Sequence, residues 1–235
     1  MDVVILCGGK GTRLSEETVK KPKPMVKIGG RPILWHIIKM YSHYGFNRFI
    51  LALGYKSDQI KQYYRDEKQW EIVFVDTGEE TLKGGRIKRV ERYINSDIFH
   101  LTYGDGVSDV DLNKLVNFHK SHDCVGTVTA VRPPSRFGEL NIDENDTVLD
   151  LEEKPQMGQG LINGGFFVFD KKMLLYLTED KDCDFEFGSL QQISKDGQLK
   201  AYKHNGFWQC MDNIRERDHL DKLIKDNTAP WIVWK

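Results

Sequence analysis

Short apolar runs recur along the first half of the chain, and each ends in a turn rich in glycine or polar residues. The runs occupy residues 3–6, 48–53 and 71–75. Their length and uniform hydrophobicity are typical of strands buried on both faces of a sheet. After the first run, apolar residues recur at helical spacing from position 33 to position 41, and Pro32 suits the first turn of that helix. A short polar helix fits between the second and third runs, so the order predicts a parallel sheet with right-handed crossovers.

The second half of the chain breaks this alternation. Residues 137–142 and 148–153 flank a polar turn and predict a short antiparallel pair. Further strands are expected at 99–103, 125–131, 166–169 and 199–203, and further helices at 57–64, 87–93, 110–121, 171–177, 185–194 and 214–225. We therefore expect an α/β protein whose mixed, mostly parallel sheet is flanked by helices, with a small antiparallel subregion.

Composition narrows the class of protein. The 235 residues suffice for one substantial core, and 34 basic against 35 acidic side chains give a net charge of −1. This balance argues against a nucleic-acid partner. The four cysteines are widely separated and form no CxxC pair, which favours reduced thiols over a structural zinc site. The apolar runs are too short for a membrane span and no secretion signal is visible, so we expect a cytoplasmic protein without a membrane partner.

The first strand opens into a loop of glycines and cations. It reads GGKGTR from Gly8 to Arg13, and KKPKP follows at residues 20–24. Glycine amides can approach a phosphate closely, and fixed cations neutralise its charge. The loop fits neither GxxxxGK[ST] nor GxGxxG, so the glycines alone would favour an ordinary turn between a strand and a helix. Arg13, a rigid fork of donors, and Lys23, a mobile point charge, favour a nucleoside triphosphate site.

Carboxylates end two later segments. Asp105 lies between glycines after the strand at 99–103, and Asp212 follows the mostly apolar residues 207–211. Asp105 could be a simple turn residue, but three earlier strand ends point to the same rim of the sheet. A carboxylate at that rim suits Mg²⁺, and Asp212 needs a cationic partner because it follows an apolar run. Together the two residues predict a magnesium site.

Two other features of the sequence are consistent with a structural role that involves no ligand. Arg86 follows a pair of glycines and opens a helix, which repeats the pattern of strand end, glycine and cation, yet a solvated Arg86 is equally consistent with it. His119 and His122 have no acidic or cysteine partner at metal-ligand spacing, so we interpret both as residues of a helix surface.

These segments together resemble the signature of the sugar-1-phosphate nucleotidyltransferases. The resemblance rests first on LCGGKGTRL at residues 6–14 and KPKPM at residues 21–25, and it covers nearly the whole chain. Its other segments are ILWH at 33–36, YSHYG at 41–45, VDTG at 75–78, GGR at 84–86, TYGDGV at 102–107, RFG at 136–138, EKP at 153–155, NGGFFV at 163–168 and GFWQ at 206–209. Within the family, the glucose-1-phosphate cytidylyltransferase group is the most similar.

The resemblance implies a fold and a division of the chain. The fold would be the Rossmann-like, GT-A-like nucleotidyltransferase fold, in a single domain over residues 1–235. The nucleotide-binding part would span about 1–131, the acceptor-binding part about 132–212, and a C-terminal helix 213–226.

Position by position, the resemblance also implies a role for each site residue. Arg13 and Lys23 would be catalytic and stabilise charge at the α-phosphate, while Asp105 and Asp212 would hold Mg²⁺. The nucleotide would be bound by Leu6, Cys7, Gly8, Gly9, Gly11, Thr12, Arg13, Lys23, Thr81, Arg86 and Gly104. The acceptor would be bound by Gly138, Glu153, Lys154 and Asn163, with Lys154 on its phosphate.

The implied reaction is an in-line attack of an acceptor phosphate on the α-phosphorus of CTP, which releases pyrophosphate. With α-D-glucose 1-phosphate as acceptor the product is CDP-glucose, a precursor for surface polysaccharide. A homo-oligomer is expected, with CTP and a phosphorylated small molecule as the binding partners.

One departure from the family leaves the acceptor and the oligomer open. Relatives in the glucose-1-phosphate group carry an extra segment after the helix near Tyr64, where this chain has only residues 65–70. A second hypothesis is therefore the same chemistry on another sugar 1-phosphate, or on a non-sugar such as an amino-acid phosphate in capsule modification. A third is a non-catalytic regulatory subunit. A glycosyltransferase would not account for the loop from Gly8 to Arg13 together with Lys23.

Overall fold

A mixed sheet forms the centre of the molecule, which a computed structural model describes at residues 1–133, 139–142, 144, 147–152 and 160–234. The strands are β1 Asp2–Leu6, β2 Lys27–Ile28, β3 Arg31–Pro32, β4 Arg48–Leu53, β5 Glu71–Asp76, β6 Ile98–Tyr103, β7 Gly106–Ser108, β8 Gly126–Val131, β9 Glu139–Ile142, β10 Val148–Glu152, β11 Ile162–Asp170, β12 Leu199–His204 and β13 Trp208–Cys210. Seven of these described strands make the central sheet, in the order β12-β8-β11-β6-β1-β4-β5. Its pairings are parallel except where β11 lies between β6 and β8.

Helices flank the sheet. The α-helices are α1 Ser15–Thr18, α2 Ile33–His43, α3 Ser57–Tyr63, α4 Lys83–Arg89, α5 Leu112–Lys120, α6 Gln191–Lys195 and α7 Ile214–Lys225. Shorter 3₁₀ segments occur at Thr12–Leu14, Lys23–Met25, Glu91–Tyr93 and Lys171–Tyr176, and Phe185–Leu190 forms a π-helix that continues into α6. No helix in the described part of the chain is long and apolar enough to cross a membrane.

Each face of the sheet carries its own core. Along β1, Val3 and Ile5 join the core that contains α2, whereas Val4 and Leu6 join the core that contains Ile87 of α4. Side chains of a strand alternate between faces, so a strand covered on both sides must be apolar at every position. The uninterrupted apolar runs of the sequence follow from this two-sided burial.

The fold confirms the predicted α/β class and most of the predicted elements. Strand β4 and helix α7 have the predicted bounds of 48–53 and 214–225. The expected antiparallel pair is formed by β9 and β10. Differences occur where a glycine or a histidine was interpreted from local sequence alone.

The helix expected at residues 87–93 begins earlier, and α4 contains both glycines that were expected to precede it. A Cβ atom on Gly84 would lie 2.7 Å from the carbonyl oxygen of Cys183, so the glycine permits close contact with the segment around 183. The prediction was wrong because a glycine in the sequence can indicate either a turn before a helix or a close contact within the helix.

The interpretation of His119 and His122 as helix-surface residues is wrong. His119 is buried, and its Nδ1 lies 3.0 Å from Oγ1 of Thr127 in β8. His122 follows α5 and places Nε2 2.9 Å from the same hydroxyl. The pair therefore joins the end of a helix to the sheet, a contact that depends on tertiary packing.

Strand β11 also starts earlier than expected. It begins at Ile162, so Asn163 and the glycines after it belong to the strand instead of preceding it. Its register with β8 shifts between Asn163 and Phe167. This irregularity places Asn163 next to the carboxyl end of β6, where the candidate site lies.

Candidate active site

The carboxyl ends of β1 and β6 and the segment that follows β5 border a cleft of about 680 Å³. Loops that follow parallel strands diverge at this end of a sheet and leave a crevice for ligands. The predicted nucleotide-site residues all line the cleft: Leu6, Cys7, Gly8, Gly9, Gly11, Thr12, Arg13, Lys23, Thr81, Arg86 and Gly104. Asp105, Asp212 and Asn163 line it as well. The structure thus brings together residues that are far apart in sequence.

Three of the four predicted acceptor residues lie outside the part of the chain that the structure describes. They are Gly138, Glu153 and Lys154. Of the predicted acceptor residues, Asn163 is therefore the member whose position is described, and it lies in the wall of the cleft.

The glycine-rich loop is held at both of its ends. The amide of Tyr55 donates to the carbonyl of Gly8 at 3.1 Å, which joins the loop to the turn after β4. The hydroxyl of Thr18 donates to the carbonyls of Gly11 at 3.1 Å and Leu14 at 3.0 Å. These bonds leave the loop's middle, around the exposed Gly9, facing the cleft.

Lys23 is a buried lysine between two carboxylates. Its Nζ donates to Oδ2 of Asp105 at 2.6 Å and to Oδ1 of Asp212 at 2.5 Å. Burial alone would favour the neutral amine, but the attraction and hydrogen bonds of Asp105 and Asp212 outweigh it and raise the pKa of Lys23. The two carboxylates therefore favour the charged form of Lys23 inside the cleft.

Arg13 adds a second cation to the same group. Its Nη1 lies 2.7 Å from Oδ2 of Asp212, while the arginine side chain remains 73% exposed. A long side chain with this exposure can turn toward a ligand without breaking the fold. Lys23 and Arg13 therefore meet at Asp212, and their shared role at the α-phosphate remains a prediction.

A short strand pair brings the two carboxylates together. Strand β7 follows Asp105 directly, and β13 precedes Asp212 by one residue. The two strands pair antiparallel, with Gly106 opposite Cys210. The amide of Met211 also donates to the carbonyl of Asp105 at 2.8 Å. Because of this pairing, Asp105 and Asp212 both accept hydrogen bonds from the ammonium group of Lys23.

Asp105 and Asp212 fit a divalent cation by the chemistry of their donors. Carboxylate oxygens are the ligands that Mg²⁺ prefers, and the Lys23 ammonium between them shows that the site stabilises positive charge. Cys210, Asp212 and Glu216 also offer atoms within 4.8 Å of one another. In that group burial raises the pKa of the Cys210 thiol to about 12, and Glu216 accepts a hydrogen bond from the Asp212 amide at 2.5 Å. The pair Asp105 and Asp212 is therefore the better candidate.

Arg86 is buried, so its interpretation as a solvated side chain is wrong. Nη1 donates to the carbonyls of Leu53 at 3.1 Å and Gly78 at 2.6 Å, and Nη2 donates to the carbonyl of Gly8 at 3.0 Å. One guanidinium thus joins the ends of β1, β4 and β5. A Cβ atom on Gly54 would lie 2.5 Å from Nη1, so the glycine makes room for this arrangement.

Thr81 and Gly104 occupy the edges of the cleft. The Thr81 hydroxyl accepts from Nη1 of Arg89 at 2.8 Å, which orients the loop before α4. The Gly104 amide donates to the carbonyl of Leu6 at 3.2 Å and continues the pairing of β1 with β6 beyond the strands. Their predicted contacts with a nucleotide remain predictions, which their positions allow.

The cleft has further polar lining residues that sequence reasoning missed. Tyr103, Lys83 and Glu186 share one wall, where the Tyr103 hydroxyl donates to Oε1 of Glu186 at 2.7 Å. Tyr103 could have been found, because it ends a strand directly before Gly104 and Asp105. Glu186 carries no such signal, since it lies in the π-helical turn far along the chain.

Known proteins are similar to this chain in both sequence and fold. The model of the family described as Nucleotidyl transferase matches residues 2–212. A glucose-1-phosphate cytidylyltransferase of Salmonella typhi is 42% identical over 259 residues, covering 100% of each chain. A probable glucose-1-phosphate cytidylyltransferase of Bacillus subtilis is 40% identical over 256 residues, again covering 100% of each. The crystal structure of HddC from Yersinia pseudotuberculosis complexed with GMP-PN has a TM-score of 0.72 at 29% identity, covering 95% of this chain and 99% of HddC.

Proposed function

The chain belongs to the nucleotidyl transferase family and is a nucleotidyltransferase, and on that premise we propose that it transfers CMP from CTP to α-D-glucose 1-phosphate. The products are CDP-glucose and pyrophosphate. Support for this nucleotide and this acceptor comes from the names of relatives that match the full chain at 40% and 42% identity. The observation that carries the chemistry is the buried Lys23 between Asp105 and Asp212 in a cleft at the strand ends.

The reaction needs little proton transfer. An anionic oxygen of the acceptor phosphate forms a bond to the α-phosphorus of CTP, and the bond from that phosphorus to the bridging oxygen of the β-phosphate breaks. Pyrophosphate leaves with the electron pair of the broken bond. Because the attacking oxygen is already anionic, catalysis depends on alignment and on stabilising the charge that develops on the phosphoryl oxygens.

We assign that stabilisation to Arg13 and Lys23. Both cations form ion pairs with Asp212 next to the glycine-rich loop. The side chain of Arg13 is exposed, so it can change conformation to contact a phosphate in the cleft. The loop from Gly8 to Thr12 would bind the triphosphate through backbone amides. Thr81, Arg86 and Gly104 border the same space and would bind the rest of the nucleotide.

Enzymes of this family use a divalent metal, and we propose Mg²⁺ held by Asp105 and Asp212. When bound, the ion neutralises phosphate charge and fixes the geometry of the triphosphate. Support for this assignment comes from the two carboxylates, which converge on one cationic nitrogen.

The remaining expectations concern the acceptor and the organisation of the molecule. We propose that Asn163, with Gly138, Glu153 and Lys154, binds the acceptor, and that residues 132–212 supply this part of the site. Residues 1–131 would bind the nucleotide, and α7 would complete the domain. The enzyme would act in the cytoplasm as a homo-oligomer and supply CDP-glucose for surface polysaccharide.

A pyrophosphate-release assay tests the proposal. CTP, UTP, GTP and dTTP are each combined with glucose 1-phosphate, other sugar 1-phosphates and small non-sugar phosphates such as amino-acid phosphates. We expect the highest kcat/KM for CTP with glucose 1-phosphate and little release with either substrate alone. A preference for a non-sugar phosphate would identify a different acceptor, and a preference for another triphosphate would refute the proposed base.

A further inference from the structure

One wall of the cleft carries a continuous chain of hydrogen bonds. The Tyr103 hydroxyl donates to Oε1 of Glu186 at 2.7 Å, and the Lys83 ammonium pairs with the same oxygen. Nδ2 of Asn163 donates to the Tyr103 hydroxyl at 3.3 Å. At the far end, the Gly165 amide donates to Oδ1 of Asn163 at 2.8 Å. Four segments of the chain, around Lys83, Tyr103, Asn163 and Glu186, therefore meet at this wall.

The direction of each bond in this chain is determined. Burial raises the pKa of Tyr103, and the neighbouring Glu186 raises it further, so the phenol keeps its proton and donates it to that carboxylate. Oδ1 of Asn163 accepts from a backbone amide, which leaves its Nδ2 as the donor on the side of Tyr103. Both groups are oriented before any ligand binds.

This arrangement leaves one oxygen of Glu186 for a ligand. Oε1 accepts from both Tyr103 and Lys83, whereas no described residue donates a hydrogen bond to Oε2. The side chain of Glu186 is 24% exposed and lines the cleft. An acceptor atom held in this way costs little conformational entropy when it binds a donor.

The charge of the wall favours a neutral donor. The Lys83 ammonium neutralises Glu186 and also lies 5.1 Å from the centre of the Tyr103 ring, so lysine and glutamate together carry no net charge. A cationic ligand gains little from a carboxylate that is already paired. Hydroxyl groups gain a hydrogen bond to a charged acceptor, which is among the stronger kinds.

The neighbouring surface suits the apolar face of a sugar ring. Trp208 lines the cleft beside this wall, and its Nε1 donates to the carbonyl of Gly164 at 2.6 Å. Trp208 is largely buried, and with that donor satisfied the small part of it that borders the cleft is apolar. A wall that combines a small apolar patch with an oriented carboxylate matches a molecule that has both C–H faces and hydroxyl groups.

We propose that Glu186 determines specificity for the acceptor, with Oε2 accepting a hydrogen bond from a ring hydroxyl of a sugar phosphate. This inference rests on the proposed function and adds a residue and a substrate class to it. Tyr103 and Lys83 act as positioning residues, because they hold Oε1 and thereby aim Oε2 at the cleft.

The test is Glu186→Gln, in which the amide oxygen still accepts from Tyr103 and Lys83 while the amide nitrogen replaces the free oxygen with a donor. We expect KM for glucose 1-phosphate to rise about tenfold or more, the range for losing a hydrogen bond to a charged group. KM for CTP and the thermal midpoint of unfolding should stay close to wild type. Glu91→Gln, which alters a carboxylate paired with Lys88 away from the cleft, is the matched control.

Deoxy analogues of glucose 1-phosphate identify the hydroxyl group. For the analogue that lacks the recognised hydroxyl, wild type and Glu186→Gln should have the same KM, since the contact is already absent. For the other analogues the tenfold difference should persist. Tyr103→Phe should give a smaller rise in the acceptor KM with unchanged kcat, as expected of a positioning residue.

The outcomes separate this inference from the proposed function. Wild type that releases pyrophosphate with glucose 1-phosphate, combined with an unchanged acceptor KM in Glu186→Gln, overturns the inference alone. A rise confined to KM for CTP also overturns it, because Glu186 would then contact the nucleotide. Wild type that is inactive with CTP and every sugar 1-phosphate overturns the proposed function, and this inference with it.

Discussion

Lys23 combines burial and charge in a way that few lysines do. Its side chain is 9% exposed and lies within hydrogen-bonding distance of two carboxylates. A lysine of this kind is costly to keep in a fold unless its partners compensate the lost hydration. Asp105 and Asp212 provide that compensation here, and the same arrangement leaves a cation next to the glycine-rich loop. The stability of the site and its proposed chemistry therefore depend on the same three side chains.

Replacing Lys23 by methionine tests its catalytic role. Methionine keeps most of the side-chain volume and removes the charge, so kcat should fall by about 10²–10³ or more, the effect of deleting a preorganised charge stabiliser. The control is Lys61→Met, because Lys61 is a partly exposed residue of α3 that does not line the cleft. Near-normal kcat in a folded Lys23→Met enzyme would refute the role.

Replacing Asp105 by asparagine tests the metal site. The substitution keeps the shape of the side chain but removes one of the two charges that converge on Lys23. We expect magnesium-dependent activity to be abolished, and binding of Mn²⁺ in the presence of CTP, followed by electron paramagnetic resonance, to weaken. Asp111→Asn, at the partly exposed N-cap of α5, serves as control. Unchanged activity across a magnesium titration would contradict the assignment.

At the scale of elements, Arg86 connects the ends of three strands through hydrogen bonds. It reaches from α4 to the carbonyls that follow β1, β4 and β5. Isolated strand ends diverge, and unpaired carbonyls at a buried edge would each cost free energy. One side chain thus satisfies several carbonyls and joins three strand ends at the border of the cleft.

Arg86→Lys separates charge from geometry. Lysine keeps the positive charge but cannot reproduce the planar fork of donors. Losing the bonds to Gly8 and Glu79 should lower the free energy of unfolding by about 2–4 kcal/mol and raise KM for CTP, since the loop loses its anchor. Urea unfolding and steady-state kinetics measure both effects. As a control, Arg92→Lys at an exposed position should change neither the free energy of unfolding nor KM for CTP. If Arg86→Lys also left both quantities unchanged, the planar fork of Arg86 would not be needed.

At the scale of the whole molecule, buried histidines predict a dependence of stability on pH. Burial lowers the pKa of His36 to about 4 and that of His100 to about 3. Burial also lowers the pKa of His119 to about 4, and the nearby His122 contributes. Between about pH 4 and pH 6.5 the unfolded chain binds protons at these positions and the folded protein does not. The free energy of unfolding should therefore decrease as pH falls through that range.

Urea unfolding at several pH values between 4.5 and 7.5 measures this dependence. Each histidine should contribute up to about 1.4 kcal/mol for each pH unit below its unfolded pKa. His36→Gln should reduce the slope, because glutamine does not titrate, whereas replacing the exposed His219 should leave it unchanged. A free energy of unfolding that is constant over the range would contradict the prediction.

Local sequence was sufficient for the elements but not for every residue within them. The bounds of β4 and α7 follow from hydrophobic period and from capping, since Asn213 accepts a hydrogen bond from the amide of Glu216. The early start of α4 and the burial of His119 were missed. In both cases the deciding contact comes from a segment distant in sequence: residues near 183 for α4 and β8 for His119.

The sequence by itself determined the class of fold, the glycine-rich loop and the identity of Arg13, Lys23, Asp105 and Asp212 as candidates, because period, glycine content and charge are local properties. Only the tertiary structure decided which of these groups meet. Lys23 is 82 residues from Asp105 and 189 from Asp212, and Tyr103 is 83 residues from Glu186. Polar contacts of this range depend on how strands pair and helices pack, so they form only after the hydrophobic pattern has positioned the chain.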